Sequence, residues 1–206
     1  MAKTQTQRLG ILFALAMVMA ATRIHHSFLH HFDALPDASW GVFFLAGFWL
    51  RGSARWASFH WAFALLMIEA VLVDYAVITN QGMDFWSHYC VSVAYWFLIP
   101  SYFSLWLGGS LLARYQRGLS FSTLGMAALA LLVSVSVCYL ISNGSFYWLS
   151  ASVPAAARSF GGWLENLGDW YLPFLETTAV WVGLGAVMHL LAVQLSRMRQ
   201  RGAQLH

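Results

Sequence analysis

Six stretches of this sequence are apolar almost without interruption: residues 8–23, 38–50, 56–79, 89–109, 119–141 and 171–195. A membrane-spanning helix needs about 20 mainly apolar residues, and most of these runs reach that length. What separates them cannot solvate a water-facing shell. Charged residues make up 9% of the chain, against about 25% in an ordinary soluble domain. Most of the surface must therefore face lipid, and the expected fold is an all-α integral membrane protein of six transmembrane helices in one domain over residues 1–206. Eleven Trp, eight Tyr and fifteen Phe agree with this, because aromatic rings gather at the membrane–water boundary. The net charge of +3 does not point to nucleic acid, since the basic residues sit in short loops and form no stripe.

The second run is the shortest, with Asp37 placed to cap its first amides and Arg51 ending it. The first run also has the basic start, apolar middle and small residues of a signal peptide, but its removal would leave an odd number of spans. Orientation follows from the basic residues. Numbering loops alternately from an inside N-terminus puts Lys3, Arg8, Arg51, Arg55, Arg114, Arg117, Arg197, Arg199 and Arg201 on one side, and only Arg23 and Arg158 on the other. The acidic loop residues Asp33, Asp37, Asp84, Glu165 and Asp169 all fall opposite the basic cluster. The positive-inside rule then sets both termini in the cytoplasm. The outer segments 24–36, 80–88 and 142–170 are the chemically rich ones, and long non-random loops on a rigid bundle are where binding resides.

Several constellations on this frame carry chemistry. His25, His26, His30 and His31 follow the first run, and His26 with His30 share a helical face suited to a transition metal. His60 and His189 lie in apolar runs and form the candidate axial pair of a haem-binding redox subunit. Glu69, Asp74 and Glu176 are intramembrane acids, costly unless paired or facing a cavity, with Glu69 in mid-span and the other two nearer the outer face. Cys90 follows Ser87-His88-Tyr89 at the outer start of the fourth run. With Ser87 as cap, Cys90 falls in the first helical turn, where free amides favour a thiolate, a soft metal ligand. Cys138 lies in the fifth run near the same face, which leaves a Cys90–Cys138 disulfide open. No P-loop is present, so the chain carries no ATPase of that type.

The length, the six runs and the Ala16-Met17-Val18-Met19-Ala20 segment resemble the S-components of energy-coupling factor (ECF) vitamin transporters of bacterial inner membranes. The resemblance implies that Ala16 and Ala20 form a strip docking on a coupling module, and that the outer loops close over a vitamin. Cys90, with Tyr89 and His88 beside it, is similar to the cobalt-ligating cysteine of the solitary BtuM-type cobalamin transporters. That likeness implies uptake of cobalamin (vitamin B12), a transporter rather than an enzyme, and Cys90 as axial ligand to the cobalt. The chemistry of the ligand suits what the outer face offers. A corrin calls for aromatic walls, scattered polar groups and one soft ligand. Phe85, Trp86, Tyr89, Tyr147 and Trp148 are the candidate walls, with Asn143 and Arg158 as polar partners, the latter for the nucleotide phosphate. The readings from other classes are the haem subunit on His60 and His189, and a transition-metal permease on the outer histidines.

The charge asymmetry makes a direct prediction. Single cysteines placed in residues 152–162 react with a membrane-impermeant maleimide in intact spheroplasts, and cysteines in residues 114–117 react only after lysis. The reverse pattern inverts the topology.

Overall fold

A computed structural model describes residues 4–28, 36–51, 56–116, 118 and 120–203. Among these the chain is all-helical: α1 (Gln5–Phe28), α2 (Ser39–Leu50), α3 (Trp56–Asn80), α4 (Leu98–Tyr115), α5 (Phe121–Leu149) and α6 (Phe160–Ala203). Short 3-10 turns lie at Phe85–Ser87, Val93–Phe97 and Ala155–Ala157. Five helical segments are long and apolar enough to cross a membrane, and α2 is a shorter apolar helix. The chain has the make-up of a multi-pass membrane protein.

The helix starts follow local chemistry. Thr4 and Gln7 form a reciprocal box at the head of α1, each accepting the other's amide at 3.1 and 3.2 Å. Ser120 accepts the Thr123 amide at the head of α5. Asp37 serves α2 as expected, its Oδ1 accepting from the Ser39 amide at 2.9 Å and the Ser39 hydroxyl at 2.6 Å. The fourth helix departs from the sequence expectation. It does not begin at residue 89 but at Leu98, after the 3-10 stretch. Pro100 explains this, because a proline lacks an N–H and is harmless only within the first turn. Helices α5 and α6 run well past the expected ends at 141 and 171, so the irregular part of the presumed outer segment shrinks to residues 150–159.

α2 is the centre of the bundle. It is apolar on every side, Ser39 to Gly47 and Leu50 are all buried, and it is packed by α1, α3, α4 and α6. Lipid tails are as apolar as leucine, so tight contact rather than water exclusion must hold such a helix in place. Glycines supply the contact. A Cβ on Gly109 would run into the Phe44 carbonyl, and one on Gly47 into the Trp106 carbonyl, so α2 and α4 touch backbone to backbone. On the far side, Gly41 lies under Trp181 and Gly185 under Leu45, which seats α6. Around this centre α1 turns Leu15, Met19 and Thr22 inward, α3 turns Ala62, Leu66 and Ala70 inward, and both send large apolar side chains to the outside. Ala16 and Ala20 are half-buried on the flank of α1, with Ala16 packed against the core, so they do not form a fully outward strip.

Gly109→Val forces the α2–α4 crossing apart, a misfit of the kind that costs about 1–3 kcal/mol in a packed core. Thermal unfolding in detergent should show a clearly lower midpoint for it than for Gly10→Ala, whose added methyl meets nothing within 4 Å.

Candidate functional site at the Arg23 end

At one end of the bundle an arginine is drawn inside. The Arg23 side chain is 10% exposed. Its Nε donates to Ser39 Oγ at 2.7 Å, Nη1 to Asp74 Oδ1 at 2.6 Å and to the Ala70 carbonyl at 3.3 Å, and Nη2 to Tyr102 Oη at 2.8 Å. Asp37 lies 3.9 Å from Nε. The other Asp74 oxygen accepts from Tyr95 Oη at 2.7 Å. One guanidinium thereby joins α1, α2, α3 and α4, and through Asp74 it also holds the 3-10 stretch. Asp74 is thus a paired carboxylate rather than the lining of an opening. Glu69, slightly deeper on α3, is half-buried and takes part in no hydrogen bond or ion pair among the described residues.

The segment between α3 and α4 is fastened above this cluster. Phe85 is 5% exposed and packs edge-on against Tyr75 at 5.4 Å and Tyr95 at 6.3 Å, so it anchors the segment from inside and presents no outer wall. Trp86 and Tyr89 are on the outside, Trp86 at 76% exposure. Asp84, not Ser87, is the cap here, its carboxylate accepting the Ser87 amide at 2.9 Å. The Cys90 amide donates to His88 Nδ1 at 3.3 Å, and the Val91 amide to the His88 carbonyl at 2.8 Å.

Cys90 therefore sits in a tight irregular turn before the 3-10 stretch, not in a helical first turn, and the dipole argument for a thiolate falls away. Burial pushes its thiol above the usual range, with the Asp74 charge acting the same way and a hydrogen bond from Tyr89 opposing them. The Tyr89 hydroxyl is raised in turn, mainly by that hydrogen bond to Cys90. Cys90 is partly exposed, Cys138 is fully buried in α5, and both thiols are free.

The remaining expected residues form a second group on α5 and α6. Asn143 Nδ2 donates to Asn166 Oδ1 at 2.7 Å, and Tyr139 Oη donates to the Leu167 carbonyl at 3.1 Å. Tyr147 is buried and its hydroxyl both accepts the Ser159 amide and donates to the Ser159 carbonyl, each at 3.2 Å. Trp148 stands edge-on to Tyr147 at 5.2 Å and to Trp163 at 6.4 Å. Two buried atoms here have no partner among the described residues, Asn143 Oδ1 and Trp163 Nε1. Arg158 makes no ion pair with Glu165 among the described residues, and two of its nitrogens are used within its own loop. It donates to the Ser150 carbonyl at 2.8 Å and to the Val153 carbonyl at 3.1 Å, closing its own loop. The two groups share the Arg23 end of the bundle, and no hydrogen bond or ring contact joins them among the described residues.

Other expected ligands are placed as follows. His189 packs edge-on against Phe48 at 5.6 Å and near Trp49, towards the opposite end. The side chains of His25, His26 and His60, and residues 30 and 31 altogether, lie outside the described residues. Among the described residues no three His, Cys, Asp or Glu come together to hold a metal ion. Sequence reasoning missed the Arg23 cluster, although Arg23 and Asp74 were both legible as costly charges that each needed a partner. No protein-family model and no curated protein matches the chain.

Removing one member of a buried charged pair strands the other, at a cost of about 3–5 kcal/mol. Asp74→Ala should therefore lower the thermal midpoint in detergent far more than Tyr95→Phe, which deletes one hydrogen bond worth about 1.5–3 kcal/mol to a charged partner. Equal, small effects from both would mean that the cluster does not hold this end together.

Proposed function

We propose that this chain takes up cobalamin across a bacterial inner membrane, with both termini cytoplasmic and Cys90 as the axial ligand to cobalt. The observation that carries the reading is the position of Cys90: a free, partly exposed thiol on a fastened turn, flanked by outward aromatic rings. Trp86 and Tyr89 offer faces to a corrin, and His88 is held in place by the Cys90 amide. Late transition metals favour sulfur, and one soft ligand on an otherwise aromatic surface suits a macrocycle whose equatorial positions are already filled.

The raised thiol shapes the chemistry. At neutral pH the group arriving at cobalt is S–H, and a metal-bound cysteine is a thiolate. Coordination forms a Co–S bond, releases the weaker axial ligand (water in aquocobalamin) and sends the thiol proton to solvent. The cobalt keeps its oxidation state. The neighbouring Tyr89 hydroxyl favours the charge that remains.

Aquocobalamin added to purified protein should change its visible spectrum, and Cys90→Ala should abolish the change while Cys138→Ala preserves it. Because one proton leaves with each bond, apparent affinity should rise about tenfold per pH unit below the thiol's own pKa. An unchanged spectrum in the unmodified protein, or equal effects from the two cysteines, overturns the proposal.

A further inference from the structure

Among the described residues, the cations at the opposite end of the molecule have no acidic partner. All eight acidic residues fall at sequence positions 33, 37, 69, 74, 84, 165, 169 and 176, and none is a near neighbour in sequence of Arg8, Arg51, Arg114, Arg197 or Arg201. Among the described residues the only ion pairs are those of Arg23, at the other end. Arg51 donates to the Ser110 carbonyl at 3.1 Å, and Arg114 lies over the Tyr115 ring at 5.5 Å. Arg8 differs from both: its side chain has no hydrogen bond or ion pair among the described residues, and its Nε is buried without a partner there.

Arg8 also stands at the mouth of a groove. Between α1 and α3 a depression of about 440 Å³ is rimmed by Gln5, Arg8 and Trp61 and floored by Leu9, Leu12 and Leu65. The same three leucines continue into a second, more apolar depression of about 400 Å³ that ends at Ala16 and Glu69. The two depressions share these leucines and follow one another from a cation at the bundle end to mid-span. Arg8 to Ala16 is about 12 Å along the helix axis. Trp61 is largely exposed at the cationic end, where an indole sits among headgroups.

From this arrangement we infer that the α1–α3 groove binds one anionic phospholipid, its phosphate on Arg8 beside Gln5 and one acyl chain laid along Leu9, Leu12 and Leu65. Charge complementarity selects the occupant. The groove offers at its mouth a guanidinium without a partner among the described residues, and hydrocarbon along its length, the shape and polarity of a lipid and not of a soluble anion. Glu69 at the inner end fixes the direction, since a carboxyl group gives a phosphate no cation and leaves that end to the chain. The inference stands on Arg8 and the groove and is independent of the cobalamin reading.

The test uses the whole purified protein and two lipids of identical chains, phosphatidylglycerol and phosphatidylcholine, titrated in detergent and read by native mass spectrometry. The unmodified protein should retain the first over the second, and Arg8→Gln should reduce that preference about fivefold, the effect of one basic residue at a lipid surface. Phosphatidylglycerol brominated on its acyl chain should quench Trp61, so the quenched fraction of the emission should fall in Trp61→Phe. Equal retention of the two lipids overturns the inference, as does a preference that survives Arg8→Gln. Quenching that is unchanged in Trp61→Phe also overturns it, and leaves the groove to a partner helix.

Discussion

A guanidinium held inside one end of an apolar bundle is the constraint on which this structure turns. Left alone, a charge in that position costs several kcal/mol. Arg23 avoids the cost only because three other helices bring oxygen atoms to it: Ser39 from α2, Asp74 and the Ala70 carbonyl from α3, and Tyr102 from α4. These helices are therefore fixed in register by a single side chain. A slide of one turn, about 5.4 Å, would break every one of the bonds at once. The glycine contacts at Gly47 and Gly109 bring α2 and α4 close enough for the arrangement to exist. Close backbone packing and charge satisfaction are two aspects of one solution.

The turn that carries Cys90 inherits its position from this cluster. Tyr95 reaches back to Asp74, and Phe85 is held between Tyr75 and Tyr95. A thiol on a free loop would sample many orientations, whereas this one follows α3. The same proximity explains why the thiol is raised: burial and the Asp74 charge both oppose the anion, and only the Tyr89 hydroxyl favours it. Fastening the turn and disfavouring the thiolate are consequences of the same neighbours.

Much of the fold was legible in the sequence because lipid imposes a simple rule on composition. Apolar length alone located α1, α3, α5 and α6, and Asp37 with Arg51 bracketed α2. What was not legible depended on pairing between distant segments. The polar tract after residue 141 reads as a loop, yet it continues as helix because Asn143 meets Asn166 and Tyr147 meets Ser159. The run from residue 89 reads as helix, but Pro100 confines the α-helical start to its own first turn, a signal present in the sequence and outweighed by the apolar content. At the site, Cys90 and its exposed neighbours were readable as residue types. The buried anchoring of Phe85 and the local use of Arg158 were not, since neither burial nor a bond to a carbonyl leaves a pattern along the chain.

The short length of α2 has a further consequence. Its 12 residues extend for about 18 Å, against about 30 Å of hydrocarbon in a bilayer. Residues 36–38, the irregular backbone just before it, need partners from the protein wherever lipid surrounds them. Just before α2, the polar groups of that backbone are met by side chains from its surroundings. The Ala38 amide donates to Thr22 Oγ1, the Pro36 carbonyl accepts from the Trp181 indole, and the Ser39 amide donates to Asp37. The protein thus supplies its own hydrogen-bond partners to the backbone that leads into α2, a role that water plays at the ends of longer helices.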